Sequence, residues 1–300
     1  MKNRKITLLT ALLFVSTLAT AQNYAFKVLA NKGSNEVKSG DAWIPLKTGS
    51  SLNQDDEVKL ADNAYVGLVH NTGKPLEVKK AGVHKVSELA NQIKTGSSVL
   101  SKYTDFILSS NSAEAKKNRL SATGAVNREI GTGATIKLLF PTKNQHTGIY
   151  NNKAIIKWEG SDIAGPYVIT LRNMFEDVLV KEETSETSYA VDLTNAKLAN
   201  ENAILIEVSL KSDAKVVSNQ HIIKRLSPAE REKVKTALAE YTAEVTEETA
   251  LNKIILASLL ENNNMLIDAI VAYEEALALE PGVPSYQEGY EDFLLRQALK

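Results

Sequence analysis

The side chains that could bind a metal ion or transfer protons are few and widely spaced in this chain of 300 residues. None of the histidines shows the short spacing of metal ligands, such as two histidines one helical turn apart. His70 and His84 could meet in space, but isolated histidines of this kind are more often ordinary strand residues, and His221 is expected on the outward face of a strand. The absence of cysteine excludes thiolate zinc sites, disulfides and a cysteine nucleophile. The sequence therefore predicts no metal site, no cofactor and no catalytic residue. The four histidines are His70, His84, His146 and His221.

Two short runs have part of the composition of an ion-binding or phosphate-binding loop. Asp55–Glu57 is the densest acidic run among the predicted strands, but a calcium loop needs alternating carboxylates, a central glycine and a distal glutamate. Gly131–Ala134 precedes a strand, whereas a phosphate-binding loop follows a strand and opens a helix. We therefore predict a solvated turn and a flexible entry to a domain. An envelope hydrolase with carboxylates from distant positions would leave no short motif and is kept as an alternative.

Four aromatic side chains recur at helical spacing near the C-terminus and form the candidate partner-binding site. An aromatic-lined groove on a helical unit would bind a peptide segment. The alternative is core packing between helices, which the helical spacing favours. The four residues are Tyr273, Tyr286, Tyr290 and Phe293.

Residues 1–21 have the three parts of a secretory signal peptide. Basic Lys2, Arg4 and Lys5 precede an apolar run over residues 6–18, and Ala19–Ala21 supplies the small residues of a cleavage site. The apolar run is shorter than the roughly 20 residues that span a bilayer. We predict an exported protein, periplasmic or at the cell surface and soluble after cleavage. The lack of cysteine suits a bacterial periplasm.

Charge is unevenly distributed along the predicted mature chain. Residues 22–226 hold 26 Lys and Arg against 22 Asp and Glu, whereas residues 227–300 hold 6 against 14. The acidic C-terminal part favours a partner with basic segments. No cluster of Lys or Arg with interleaved aromatic residues indicates a nucleic-acid site. We therefore predict an envelope protein as partner, no nucleic acid, and no membrane span in the mature chain.

Apolar periodicity and turn signals predict a multidomain fold of β plus α type. Short strands within residues 22–110, followed by packing helices, predict a small antiparallel β-roll. Residues 111–129 are polar and basic and form the predicted linker. Seven short strands within residues 130–226 predict a β-sandwich. Residues 227–300 predict a helical hairpin domain, whose first helix begins with the capping box Ser227–Glu230.

The two β regions resemble known domain families. The first resembles the FecR-type domain of bacterial envelope proteins, and the second resembles immunoglobulin-like or fibronectin-type sandwiches in strand count and turn spacing. The first resemblance implies an envelope β-module and allows the alternative of a periplasmic sensor or regulatory subunit that relays a signal to a membrane partner. The residues that carry it are Gly40, Trp43, Leu46, Gly49, Leu52, Asp56 and Gly73.

The helices expected over Glu247–Glu261 and Met265–Glu280 resemble one tetratricopeptide repeat. A single repeat cannot bury its apolar faces alone, so flanking helices are expected to cover them. Together with the signal peptide, these modules predict an exported, non-catalytic binding or scaffold protein of the bacterial cell envelope that docks a partner through its helical domain. The residues of the repeat pattern are Leu256, Ala257, Leu260, Ala269, Ile270, Tyr273, Ala276 and Pro281.

Overall fold

The described part of the chain is a mixed β plus α structure with several antiparallel sheets and four C-terminal helices. The structure is a computed structural model that describes residues 24–93, 136–142, 144–159 and 164–300, together with residues 98, 100, 104, 107 and 109. The predicted signal peptide, residues 1–21, and the predicted linker, residues 111–129, lie outside the described residues. The run Gly131–Ala134 and most of the helix predicted over residues 97–109 also lie outside them.

Residues 24–93, called the N-terminal module, form two four-stranded antiparallel sheets. The elements are β1 (Phe26–Lys32), β2 (Glu36–Ser39), β3 (Ala42–Pro45), β4 (Ser51–Leu52), β5 (Glu57–Leu60), β6 (Tyr65–His70), β7 (Pro75–Val78), β8 (Gly82–Lys85) and helix α1 (Val86–Ala90). Sheet I has the order β4-β1-β6-β7, and sheet II has the order β3-β2-β5-β8. β7 begins at Pro75 on the edge of sheet I, as predicted, because proline has no N–H to donate to the ladder.

Sheet I is buried on both faces, which explains the nearly continuous apolar sequence of β6. Val66 and Leu68 pack with the apolar residues of sheet II. Tyr65 and Val69 point to the opposite side and join the core that contains the C-terminal helices. Alternation with a period of two residues in the sequence predicts that Val66 and Leu68 share one face and Tyr65 and Val69 the other. The structure confirms this prediction.

Residues 136–225, called the central module, contain a five-stranded sheet and a two-stranded sheet. The strands are β9 (Gly148–Ile149), β10 (Lys153–Lys157), β11 (Tyr167–Arg172), β12 (Val178–Thr184), β13 (Ser188–Asp192), β14 (Ala203–Leu210) and β15 (His221–Arg225). Sheet III has the order β12-β11-β14-β15-β9, in which β9 pairs with β15 in parallel, and sheet IV pairs β10 with β13. The sequence also predicts a strand over Thr135–Phe140, and the described residues of this segment form only single bridges at Ile136 and Leu138.

The two sheets of the central module share one apolar core. Trp158, which follows β10, is buried there, and its ring packs edge-on against Tyr167 of β11 at 5.2 Å between ring centroids. Ile156, Ile169 and Ile206 lie in the same core and are fully buried. Alternate residues of β10, β11 and β14 face this core, and β11 is also buried on its other face, at Val168 and Thr170.

Residues 227–300, called the helical unit, form α2 (Pro228–Glu244), α3 (Ala250–Asn262), α4 (Leu266–Leu279) and α5 (Pro284–Arg296). The capping box at the start of α2 is confirmed, since the Glu230 carboxylate accepts from the Ser227 backbone N–H and the Ser227 hydroxyl accepts from the Glu230 backbone N–H. α3 begins three residues later than predicted because the Thr249 hydroxyl accepts from the Asn252 backbone N–H and caps it. None of the helices in the described ranges is long and apolar enough to cross a membrane.

Candidate functional site

The four aromatic residues proposed as a partner site are all buried in the described structure. Tyr273 of α4 stacks on Tyr290 of α5 at 5.2 Å and packs against Phe293 at 5.1 Å. Tyr286 lies apart from these three and contacts Tyr65 of the N-terminal module. A partner cannot reach these rings in this conformation, and their positions fit the alternative of core packing. The contacts that the helical unit makes are therefore with other parts of the same chain.

A buried polar cluster joins the N-terminal module to the helical unit. The Tyr65 hydroxyl donates to Glu77 Oε1 at 2.7 Å, and the same oxygen accepts from the Leu251 backbone N–H at 2.8 Å. The Tyr65 and Tyr286 hydroxyl oxygens are 2.6 Å apart. Because Tyr65 has one proton and gives it to Glu77, Tyr286 donates to Tyr65. The carboxylate thus binds the N-terminal end of α3, where free N–H groups favour a negative charge.

The ionisation behaviour of Tyr65 agrees with this arrangement. Burial raises the pKa of Tyr65 far above its usual range, and the nearby Tyr286 and Glu77 raise it further. The raised pKa favours the protonated hydroxyl, which is the form that donates to Glu77. This cluster is a structural connection between two parts of the chain.

Gly67 of β6 leaves room for the Tyr286 side chain of α5 against sheet I. A β-bulge between Val28 and Ala30 turns Ala30 towards the helices, next to Gly67. A methyl group added at Gly67 would lie 3.1 Å from the Tyr286 hydroxyl oxygen and 3.2 Å from the Ala30 Cβ. Both contacts are tighter than normal packing, so the Tyr286 hydroxyl or the neighbouring strand β1 would have to shift by a few tenths of an ångström.

Replacing Gly67 by alanine is expected to lower the free energy of unfolding by about 1–3 kcal/mol through this overpacking. Urea unfolding measures the change. The matched control is Gly289→Ala on α5, where an added methyl group meets no atom within 4 Å. The control is expected to stabilise the protein by about 0.5–1 kcal/mol because alanine favours a helix over glycine. Equal effects of the two substitutions would contradict the proposed close contact.

Charged side chains surround the buried cluster and also join the two parts of the chain. Lys79, which follows β7, bridges Glu77 and Glu280, the residue that follows α4. Lys32 of β1 lies 3.6 Å from Glu280 and donates to the Pro281 carbonyl oxygen at 3.0 Å. Burial lowers the pKa of Lys79, but its hydrogen bonds with Glu280 and Glu77 outweigh that effect and raise the pKa. Two lysines of the N-terminal module therefore pair with the acidic helical unit.

On the other side of the helical unit, Asp268 of α4 holds the turn between β9 and β10. Its two carboxylate oxygens accept from the backbone N–H groups of Tyr150 and Asn151, each at 2.8 Å. The residue is only 1% exposed. Burial raises the pKa of Asp268, and the two N–H groups oppose that shift. An acidic residue within the apolar run of α4 was a signal in the sequence for a buried polar contact.

Two lysines of β10 pair with glutamates on α4. Lys153 lies 2.8 Å from Glu275, and Lys157 lies 2.8 Å from Glu274. Lys253 of α3 also contacts Glu275, at 2.9 Å. The basic segment that the acidic helices bind in this structure is therefore a strand of the same chain.

Acidic pH should weaken the contact between β10 and α4. Burial raises the pKa of Glu275, but hydrogen bonds from Lys153 and Lys253 outweigh it and lower the pKa. A carboxyl group with a lowered folded-state pKa adds stability above its unfolded pKa and loses it as the pH falls through the lowered value. Glu275→Gln is expected to lower the free energy of unfolding by about 0.5 kcal/mol at neutral pH and by less at lower pH. Urea unfolding between pH 3 and pH 7 checks this, with Glu291→Gln as an exposed control. A cost that grows as the pH falls would contradict it.

The histidines lie in separate places. His70 of sheet I contacts the Thr72 hydroxyl oxygen at 2.8 Å, whereas His84 of sheet II contacts a backbone carbonyl of its own turn at 2.7 Å. His221 was expected on an outward face, and this expectation was wrong, since the ring is buried and contacts the Pro141 carbonyl oxygen at 3.0 Å. Within the described ranges, no group of three or more histidine and acidic residues could hold a metal ion.

One exposed apolar feature was missed by sequence reasoning. Met174 and Phe175 lie in the loop between β11 and β12 and are 55% and 87% exposed. Most other large apolar residues of the central module are buried. The available signal was an apolar pair between Asn173 and Glu176, two polar residues in the short segment that separates two expected strands. The pair marks a surface that folding alone does not explain.

Comparisons with known proteins add no relative. Neither a scan against protein-family models nor a search of curated proteins finds a match to this chain. The resemblances to FecR-type, immunoglobulin-like and tetratricopeptide domains therefore stay interpretations of the sequence pattern.

Proposed function

We propose that the protein is a non-catalytic binding or scaffold protein of a bacterial cell envelope. In this proposal the helical unit joins the two β-modules into one cooperative frame. The observation that carries it is the set of contacts on the two sides of the helical unit. Leu251 and Tyr286 contact Glu77 and Tyr65 of the N-terminal module, and Asp268 and Glu275 contact the central module. Such contacts fix the relative position of the β-modules, as a scaffold requires.

The proposal assigns partner binding to the β-modules. The apolar and acidic faces of α3, α4 and α5 are largely occupied by the chain's own strands. Most of α2 is exposed and polar. The envelope location is supported by the signal-peptide pattern of residues 1–21 and by the resemblance of the N-terminal module to an envelope domain.

The test is the native size and location of the protein in the cells that produce it. Cells are fractionated, and the protein in an envelope extract made without detergent is sized by gel filtration beside the purified mature chain. A scaffold bound to a partner elutes earlier than the purified chain and is found in the envelope fraction. A protein that elutes as the purified chain does, or that is found in the cytoplasm, would contradict the proposal.

A further inference from the structure

The hairpin loop between β11 and β12 displays two apolar side chains at its tip. Met174 and Phe175 point away from the sheet core and are 55% and 87% exposed, and Val178 at the start of β12 is also exposed. A fully exposed phenylalanine leaves a large apolar area in water, which costs free energy at about 25 cal/mol per Å². Nothing in the packing of the central module requires this residue at the tip, so its exposure points to contact with another molecule.

The loop is held in one conformation by its own hydrogen bonds. The Asn173 side-chain oxygen accepts from the backbone N–H groups of Phe175 at 2.9 Å and Asp177 at 3.0 Å. The Asn173 side-chain nitrogen donates to Asp177 Oδ2 at 3.0 Å. Two backbone hydrogen bonds also close the loop. The Asn173 N–H donates to the Asp177 carbonyl oxygen, and the Glu176 N–H donates to the Asn173 carbonyl oxygen, each at 3.1 Å. The two apolar side chains are thus presented on a preorganised loop, which reduces the entropy lost on binding.

A second set of contacts ties the tip to sheet III. Glu176 has a left-handed backbone conformation, with φ at 68°. Its carboxylate accepts from the side-chain nitrogen of Gln220 at 3.2 Å and lies 3.8 Å from Arg172. Arg172 also pairs with Glu207 of β14 at 3.4 Å. The tip is therefore anchored to the neighbouring strands and does not rely on Phe175 for its shape.

The charge around the tip decides between two kinds of surface that bind exposed apolar residues. Glu176, Asp177 and Glu207 surround it with three negative charges, and Arg172 supplies one positive charge. An anionic bilayer surface repels such a tip, because its potential favours Lys and Arg. A protein pocket with an apolar floor and a basic rim complements both the apolar and the acidic side chains.

We infer that Met174 and Phe175 form the docking site for a protein partner whose apolar pocket is bordered by Lys or Arg residues. This inference rests on the proposed scaffold function and names the surface that carries it. Phe175 fills the pocket, Met174 packs beside it, and Glu176 and Asp177 face the basic rim. The contact area of one loop is small, so the complex depends strongly on the phenylalanine ring.

The experiment uses a photo-crosslinking amino acid, p-benzoylphenylalanine, at position 174 of the full chain in the cells that produce it. Ultraviolet light is expected to yield one protein adduct, and the cross-linked partner peptide should contain apolar residues next to Lys or Arg. Phe175→Ser in the same background should reduce the adduct at least tenfold. Val83→Ser, which removes a 55% exposed apolar side chain from the N-terminal module, should leave the yield unchanged.

Three results would overturn the docking site. They are an early-eluting complex without an adduct at position 174, an adduct that persists in Phe175→Ser, and an adduct formed only with lipid or with a second copy of the chain. The first leaves the scaffold function intact, because the complex is then formed through another surface. Absence of any complex from the envelope extract removes the scaffold function and the docking site together. The urea midpoint of Phe175→Ser should equal that of the unaltered chain, which excludes unfolding as the cause of a lost adduct.

Discussion

Replacing Tyr286 by alanine should lower the free energy of unfolding by about 3–5 kcal/mol, the range for truncating a large buried aromatic ring. The ring is 2% exposed and packs edge-on against Tyr65, with 5.9 Å between ring centroids. Its hydroxyl is also hydrogen-bonded to the Tyr65 oxygen. Truncation therefore leaves a cavity between sheet I and α5 and removes a buried donor. Urea or thermal unfolding measures the loss.

The conservative variant Tyr286→Phe separates the two parts of this effect. It keeps the ring and removes only the hydroxyl, so the expected loss is about 1 kcal/mol. Tyr65 still donates to Glu77 in this variant, since that bond does not involve Tyr286. Two results would show that the ring does not join sheet I to the helical unit. One is an equal loss of unfolding free energy in the alanine and phenylalanine variants. The other is a loss below about 0.5 kcal/mol in both, which is typical of surface substitutions.

Replacing Asp268 by alanine should lower the free energy of unfolding by about 2–4 kcal/mol, because two partly buried hydrogen bonds from backbone N–H groups lose their charged acceptor. Both oxygens of the carboxylate are used, one by Tyr150 and one by Asn151. The turn between β9 and β10 would then lose its connection to α4. Hydrogen exchange should report the same event as faster exchange of the amides at residues 150 and 151.

Two comparison variants define what the Asp268 carboxylate does. Asp268→Asn keeps one acceptor oxygen and should lose less stability than Asp268→Ala. Glu291→Ala removes an exposed carboxylate from α5 and should change the free energy of unfolding by less than about 0.5 kcal/mol. If the amides at residues 150 and 151 exchange as slowly in Asp268→Ala as in the unaltered chain, another group holds the turn.

Local signals in the sequence predicted many of the strands and helices. The sequence predicts strands over Tyr167–Arg172 and Ala203–Leu210, because each is a run of β-branched and apolar residues between clear turns. Both strands have these bounds in the structure. The start of α2 follows from the capping box at Ser227, which is a contact over three residues. Such features depend only on residues that are close in the sequence, so one sequence is enough to predict them.

Features set by distant residues were not predicted. The two-residue strand β9 has no periodicity of its own and exists because β15 pairs with it in parallel. The burial of His221 follows from the position of the segment at Pro141, 80 residues away. A strand pattern states which residues alternate, but it does not state what covers each face.

The same limit applies to the candidate site. Helical spacing indicated that Tyr273, Tyr290 and Phe293 share one side of the last two helices, and the structure packs them together. The partner of Tyr286 is Tyr65, at a sequence separation of 221 residues, and no local pattern specifies that pair. Phe175 was overlooked because the exposure of a side chain follows from how the sheets pack, which its neighbours in the sequence do not specify.

The most direct test of the scaffold uses the two tryptophans of the chain. Trp43 lies in sheet II of the N-terminal module, and Trp158 lies in the core of the central module. With 5-fluorotryptophan in both positions, fluorine NMR follows each module separately through a urea titration, and Trp43→Phe assigns the two resonances. If the helical unit joins the modules, both native resonances disappear with one midpoint, and Tyr286→Ala separates the two midpoints. Two different midpoints in the unaltered chain would contradict the claim that the helices hold the β-modules as one cooperative unit.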